Sequence, residues 1–206
     1  MVLVCYGYYM ELEEKKDSRN KQIMDAALKV FVKKGYENTT MDDIVKLSGL
    51  SKGAIYHYFK SKKQLFISLI DHWEVNSFPD FYNKKDDGRT CSKILIDFSE
   101  EVLSVFYNKR HVFLAEIEFW ALANRDKDIK RKSKELYDKI LILFELVIKK
   151  GIRDGEFKDV DPKITAMYIL SIFQGINWFS IFDENEVSPD VYLRQALEIV
   201  LLNLKS

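Results

Sequence analysis

Between Thr39 and Lys62 the chain reads TTMDDIVKLSGLSKGAIYHYFKSK, a spacing that fits two short helices packed across a tight turn. Thr40 can accept a backbone hydrogen bond at a helix start, with Asp43 three residues on as an acidic form of the capping box. Met41 to Leu47 then makes the first helix, and Ile44 and Leu47 are expected on its buried side. Ser48-Gly49-Leu50 is the turn: Gly49 takes the positive φ that ends a helix cheaply, and Leu50 returns to the core. Ser51 caps the second helix, which Ile55 and Phe59 hold down on one face.

The opposite face carries Lys52, Gly53, Ala54, Tyr56 and His57, and no carboxylate lies between Ser51 and Lys63. Such a face suits a polyanion, with lysines for phosphate charge, hydroxyls for phosphate oxygens, and Gly53 and Ala54 small enough to approach a groove floor. Tyr56, His57 and Tyr58 are consecutive, span most of a helical turn, and so cannot all be core residues. Ser61-Lys62-Lys63-Gln64 reads as a further capping box, which would point the next helix's first amides and Lys62 outward to a phosphate.

From Arg19 to about Ile70 the chain resembles the DNA-binding domain of the TetR family of bacterial repressors. The shared features are a first helix ending in the Phe31, Gly35, Tyr36 pattern, then TTM, then LSKGAIYHYF, then K-x-x-L-F at the domain exit. The resemblance implies an all-α protein, with an N-terminal three-helix helix-turn-helix domain and a C-terminal helical domain for ligand binding and dimerisation. We take residues 1–17 as an N-terminal extension, disordered or partly helical, 18–63 as the helix-turn-helix domain and 64–206 as the effector and dimerisation domain. The resemblance also places His57 at a position that the family uses for DNA contact. Thr40, Ser51, Lys52, Gly53, Ala54, Tyr56, His57, Tyr58 and Lys62 are therefore the candidate DNA-binding residues.

The net charge of zero hides a division. Residues 15 to 65 hold 12 Lys or Arg against 5 Asp or Glu, so the positive field is concentrated where the motif lies. Cys5 and Cys91 are too few for a disulfide framework, and a reduced cytoplasm fits them. His57, His72 and His111 are scattered, so no metal site or cofactor is indicated. No phosphate loop or nucleophile elbow supports catalysis. The first nine residues are apolar and uncharged without the layout of a signal peptide, which suggests Met10 as the natural start.

Beyond Lys62 the apolar spacing predicts helix after helix: Ser61 to about Asn76, Ile94 to Tyr107, His111 to Ala123, and Ile129 to Lys150. Ser77 to Cys91, with Pro79, Asp86, Asp87 and Gly88, reads as a loop, and Gly151 and Gly155 punctuate the end of the last of these helices. Asp161-Pro162 and Ser188-Pro189 each place a cap before a first-turn proline. Between them, residues 164 to 182 run for nineteen positions without a charge. That length could cross a bilayer, and a membrane-attached helical protein is the rival from another class. Thr165, Ser171, Gln174, Asn177 and Ser180 break the run, and Asp161, Asp183 and Glu184 flank it without a basic anchor, so no membrane is expected.

A helix apolar nearly all round must be covered on both sides in water. Its own core supplies one side and a second subunit the other, with Val191, Gln195, Leu197, Ile199, Val200 and Leu204 of the last helix as core or interface positions. The resemblance implies a homodimer through the two C-terminal helices, hence a double-stranded DNA operator with two equivalent half-sites. In the middle, HVFLAEIEFWALA sets Phe113, Glu116, Trp120 and Ala123 in one stripe. A carboxylate there, Glu116 or Glu118, suits an aromatic or cationic small-molecule effector, with Phe144, Tyr168, Phe173, Asn177 and Trp178 as further ligand-binding candidates. A protein partner in place of the small molecule is the alternative within the same fold.

Overall fold

The computed structural model describes residues 2–78, 88–182 and 186–205, with side chains described from Ser18 onward and, near the end of α4, as far as Trp73 and again at Phe78. The expectations for Cys5, for the loop with Pro79, Asp86 and Asp87, and for Asp183 and Glu184 lie outside the described residues. Ten helices are seen among those described: α1 Val2–Asn38, α2 Met41–Ser48, α3 Lys52–Tyr58, α4 Lys62–Ser77, α5 Cys91–Asn108, α6 His111–Ala123, α7 Lys127–Arg153, α8 Pro162–Gln174, α9 Ile176–Ile181 and α10 Pro189–Leu204. They fall into two compact units, Met1–His72 and Trp73–Ser206.

In the first unit, the sequence cues work as local chemistry. Gly35 turns to φ 73° inside the last stretch of α1, a value that glycine reaches without steric cost. That turn lets the Tyr36 ring stack on Phe31 at 5.8 Å and meet Phe66 of α4 edge-on at 4.9 Å. Thr40 and Asp43 form the reciprocal capping box of α2, and Gly49 takes φ 69° to end it. Ile55 and Phe59 are buried as expected. Leu47 is not: it is 53% exposed, while Met41, Ile44 and Ser48 form the buried stripe of α2. Leu47 immediately precedes Ser48, and one helical step of about 100° carries it off that stripe. The end of α2 is tied to α1 instead by Gln22, whose Nε2 donates to the Ser48 carbonyl at 2.7 Å. Leu50 is half-buried.

In the second unit, α7 is the spine. α8 and α6 lie along it, α5 packs on it and on α10, and α10 closes against α8. Asp126, Asp161 and Ser188 cap α7, α8 and α10 through their side-chain oxygens. The helix expected to stop near Gly151 continues to Arg153, and the chain turns at Gly155 with φ 74°. Gly151 has a different role: a Cβ there would meet the Phe157 ring at 2.2 Å, so its bareness seats that buried phenyl group. The uncharged run is split at Gly175 into α8 and α9. Tyr192 of α10 sits against that split, and its hydroxyl donates to the Ile172 carbonyl at 2.9 Å. A side chain at Gly175 would collide with this hydroxyl.

The run from Pro162 to Ile181 is long and apolar enough for a membrane span, but it is two-sided. Ala166, Ile169, Leu170, Ile172, Phe173 and Ile176 are buried, whereas Ile164, Met167, Tyr168, Trp178, Ile181 and Phe182 are exposed. On α10, Leu197, Val200 and Leu204 turn inward, and Val191, Gln195 and Ile199 turn outward.

Candidate nucleic-acid interface and effector site

The short helix α3 presents its candidates much as the periodicity predicts. Ser51 caps it by accepting the Ala54 amide at 3.2 Å. Lys52, Gly53 and His57 are exposed, while Ala54, Tyr56 and Tyr58 are half-buried. His57 meets the Tyr58 ring edge-on at 5.4 Å. Lys52 is not a free cation in this state: its ammonium pairs with Asp42 of α2 at 2.7 Å. Gly53 stands apart, because a Cβ there would meet nothing within 4 Å and its backbone needs no positive φ. Nothing inside this protein requires glycine at that place.

Thr40 is placed as its capping box predicts, and Lys62 differently from the expectation. The Thr40 hydroxyl, though exposed, is engaged with Asp43, accepting its amide at 3.2 Å and donating to its carboxylate at 2.8 Å. Lys34 also reaches that carboxylate, and it and Thr40 hold the Asp43 pKa down at about 2. Lys62 does not point outward. Its ammonium donates to the carbonyls of Tyr36 at 2.7 Å and Glu37 at 3.1 Å and lies 4.4 Å from the Tyr36 ring centre. The carbonyls freed where α1 ends after Gly35 need donors, and Lys62 is within reach to supply them. The Ser61 cap forms, accepting the Gln64 amide at 3.1 Å, while the Gln64 side chain accepts from Lys60 rather than Ser61.

In the second unit, Phe113, Glu116, Phe144 and Phe173 line one small cavity of about 40 Å³, together with Trp73, Phe78, Phe98 and Gln174. Phe144 and Phe173 stack nearly parallel, 5.5 Å apart, and Phe98 meets both edge-on at 5.4 and 4.6 Å. Glu116 is 6% exposed. Its carboxylate accepts from Trp120 Nε1 at 3.2 Å, from Asn177 Nδ2 at 3.3 Å, and from the Gln174 side chain. Burial pushes its carboxyl above the usual glutamate range, and these donors pull the other way.

Trp120, Asn177 and Trp178 belong to a second space, an open groove of about 360 Å³ lined also by Ser171, Gln174 and Ile181. Gln174 lines both spaces, so the groove and the cavity meet at the donors of Glu116. Tyr168 joins neither: it is 56% exposed, on the side of α8 opposite Leu170 and Phe173. Glu118 lies half-buried and outside both spaces. Sequence reasoning passed over Gln174 and Phe98 as site residues. The signal for Gln174 was available, since Gln174 and Asn177 are polar and three apart in an otherwise apolar helix.

Comparisons with known proteins bear on both units. Residues 23–69 match the family described as bacterial regulatory proteins, tetR family, and residues 97–203 match the C-terminal region of BetI-type transcriptional repressors. The HTH-type transcriptional regulator YfiR of Bacillus subtilis is 30% identical over 199 residues, which covers 90% of this chain and 95% of that protein. Among solved structures, the regulator FadR of Bacillus subtilis in complex with stearoyl-CoA superposes with a TM-score of 0.71 at 21% identity, covering 89% of this chain and 98% of that one. A regulator from Saccharomonospora viridis in complex with choline superposes with a TM-score of 0.76 at 18% identity, covering 93% and 99%.

Proposed function

The chain belongs to the TetR family of bacterial regulatory proteins and is a DNA-binding transcriptional regulator, and we propose that it acts as a homodimeric, cytoplasmic repressor released by a small molecule. In this reading, α3 enters the major groove of each half of a pseudo-palindromic operator. Lys52, Ala54, His57 and Tyr56 face bases or nearby phosphates, and Gly53 lets the helix approach closely. Thr40 and Ser51 serve chiefly as caps that set the angle of the reading helix, and Lys62 braces α4 against the end of α1.

The observation that carries the proposal is the outward face of α3. Its lysine, histidine and bare glycine are exposed rather than buried in the unit's core, and they sit in the part of the chain where positive charge is concentrated. The dimer rests on the exposed apolar residues of α8 and α9 together with Val191, Ile199 and Leu202 of α10, since large exposed apolar surface marks a protein interface. The effector half rests on the aromatic cavity and on Glu116. An effector would bind preferentially to a state whose two reading helices no longer match successive major grooves, and operator affinity would fall by that difference.

Footprinting on the DNA upstream of the chain's own gene tests the first half: two protected half-sites one helical turn or a multiple apart are expected. Sedimentation of Trp178→Glu tests the second, because a charge among these exposed apolar residues should yield monomers. A monomeric wild-type protein, or a single unrepeated footprint, refutes the two-fold arrangement.

A further inference from the structure

We propose that the effector is an organic cation with an apolar body and that Glu116 is its counter-ion, an inference that rests on the effector-pocket reading above. The fold leaves the charge of the ligand open, since the two neighbours of similar fold hold ligands of opposite sign, stearoyl-CoA and choline. The residues of this chain decide it.

Three features of Glu116 point the same way. Its partners Trp120, Asn177 and Gln174 all donate N–H groups, the set that recognises an ionised carboxylate rather than a neutral acid. Among the described residues no Lys, Arg or His pairs with it, so its ionised form is buried without a counter-ion. A charge in such surroundings is costly unless something of opposite sign joins it. The walls beside it are the rings of Phe98, Phe113, Phe144 and Phe173, whose negative faces attract a cation and repel an anion. Glu116 is therefore built to be completed by positive charge.

The two spaces give the cation a way in. The inner cavity, at about 40 Å³, is too small for an organic molecule as it stands. The groove of about 360 Å³ is large enough and open, and its inner wall is Trp120, Gln174 and Asn177. A cationic head entering along the groove reaches the carboxylate once the two amides rotate away, and its apolar body stays against Trp120 and Trp178. Asn177 Oδ1 is buried and unpartnered, an acceptor already placed for a protonated amine. Gly175, at the split between α8 and α9, lines the same groove, so the amides that move stand on either side of a break in the helix.

The test uses the full-length protein and a pair of probes of nearly equal shape, benzyltrimethylammonium and its neutral isostere neopentylbenzene, with binding read by calorimetry and by tryptophan fluorescence. The wild type should prefer the cation by about tenfold or more, as a desolvated cation–π and ion-pair site requires. Glu116→Gln should remove that preference, so that the two probes bind alike, and its melting curve checks that it folds. The wild-type comparison stands even if the variant does not fold. Equal or tighter binding of the neutral probe overturns the cation and leaves the effector pocket intact, as does a preference that survives in Glu116→Gln. Absence of binding by both probes also overturns the cation. The effector reading fails separately, if apolar probes of every charge leave operator affinity unchanged.

Discussion

Gly53→Ala separates the fold from the function at a single methyl group. Gly53 lies in the first turn of α3 in a helical conformation, and the added Cβ meets nothing within 4 Å. In the free protein the change should therefore stabilise, by about 0.4–1 kcal/mol, because alanine has less freedom to lose on folding than glycine. On DNA the sign reverses. If α3 lies in the groove as proposed, the methyl group occupies space that the groove floor needs. A misfit of about 1 kcal/mol in each half-site becomes about 2 kcal/mol for a symmetric operator, roughly thirtyfold in affinity.

The assay is a pair of measurements on one preparation: thermal unfolding without DNA, and fluorescence anisotropy with a labelled operator at fixed salt. A higher melting temperature together with weaker operator binding is the expected pattern, and few structural defects produce it. If Gly53→Ala is stabilised and binds the operator as the wild type does, α3 does not approach DNA by this face. If it is destabilised, the open space around Gly53 is itself wrong.

Lys62→Met keeps an unbranched side chain but removes the donor to the Tyr36 and Glu37 carbonyls. Stability of the first unit should fall by about 1 kcal/mol, while the salt slope of operator binding stays unchanged; a slope lowered by about one unit with stability intact would restore Lys62 as a phosphate contact. Gly151→Ala drives a methyl group into the Phe157 ring and should cost about 1–3 kcal/mol by overpacking, read as a lower urea midpoint. Glu116 predicts a pH dependence. Burial raises its folded pKa, so the stability linked to its protonated form is complete below the unfolded value and is lost as pH rises through the folded one. Relative to Glu116→Gln, the unliganded wild type should weaken in urea titrations as pH rises above the ordinary glutamate range; parallel curves would show that the carboxyl is not perturbed.

The local rules were legible where one residue decides the outcome. Thr40 with Asp43, Gly49, Asp161 with Pro162, and Ser188 with Pro189 each fix a helix boundary through a hydrogen bond or a backbone angle, and each appears where the sequence places it. Leu47 and Lys62 were misread because their environment comes from elsewhere in the unit. Gln22, 26 residues away, takes up the end of α2, and the end of α1 takes up Lys62, also 26 residues from Tyr36. Periodicity along one helix cannot report a partner that distant. Tyr168 illustrates the same limit on a helix with two apolar faces. Composition gives no way to tell the side turned to the core from the side left for another surface.

That two-faced helix also explains why the effector site and the proposed interface are hard to change independently. Gln174 and Asn177 face Glu116, whereas Trp178 and Ile181, one to four residues further along, face outward. The Ser180 hydroxyl donates to the Asn177 carbonyl, and Arg110 donates to the Phe179 and Ser180 carbonyls at 2.9 and 3.1 Å, fixing the end of α9 to the start of α6. Glu116 stands on that same α6, so both ends of the Glu116–Asn177 contact belong to one braced corner. If the proposed ligand turns the Asn177 amide aside, it works against this brace, and the turn would pass to Trp178, the next residue along. Breaking the brace by Arg110→Ala should therefore loosen the link between the cavity and the outer face, leaving operator binding intact while reducing the release that a bound effector produces. Wild-type release in Arg110→Ala would show that the signal leaves the site by another helix.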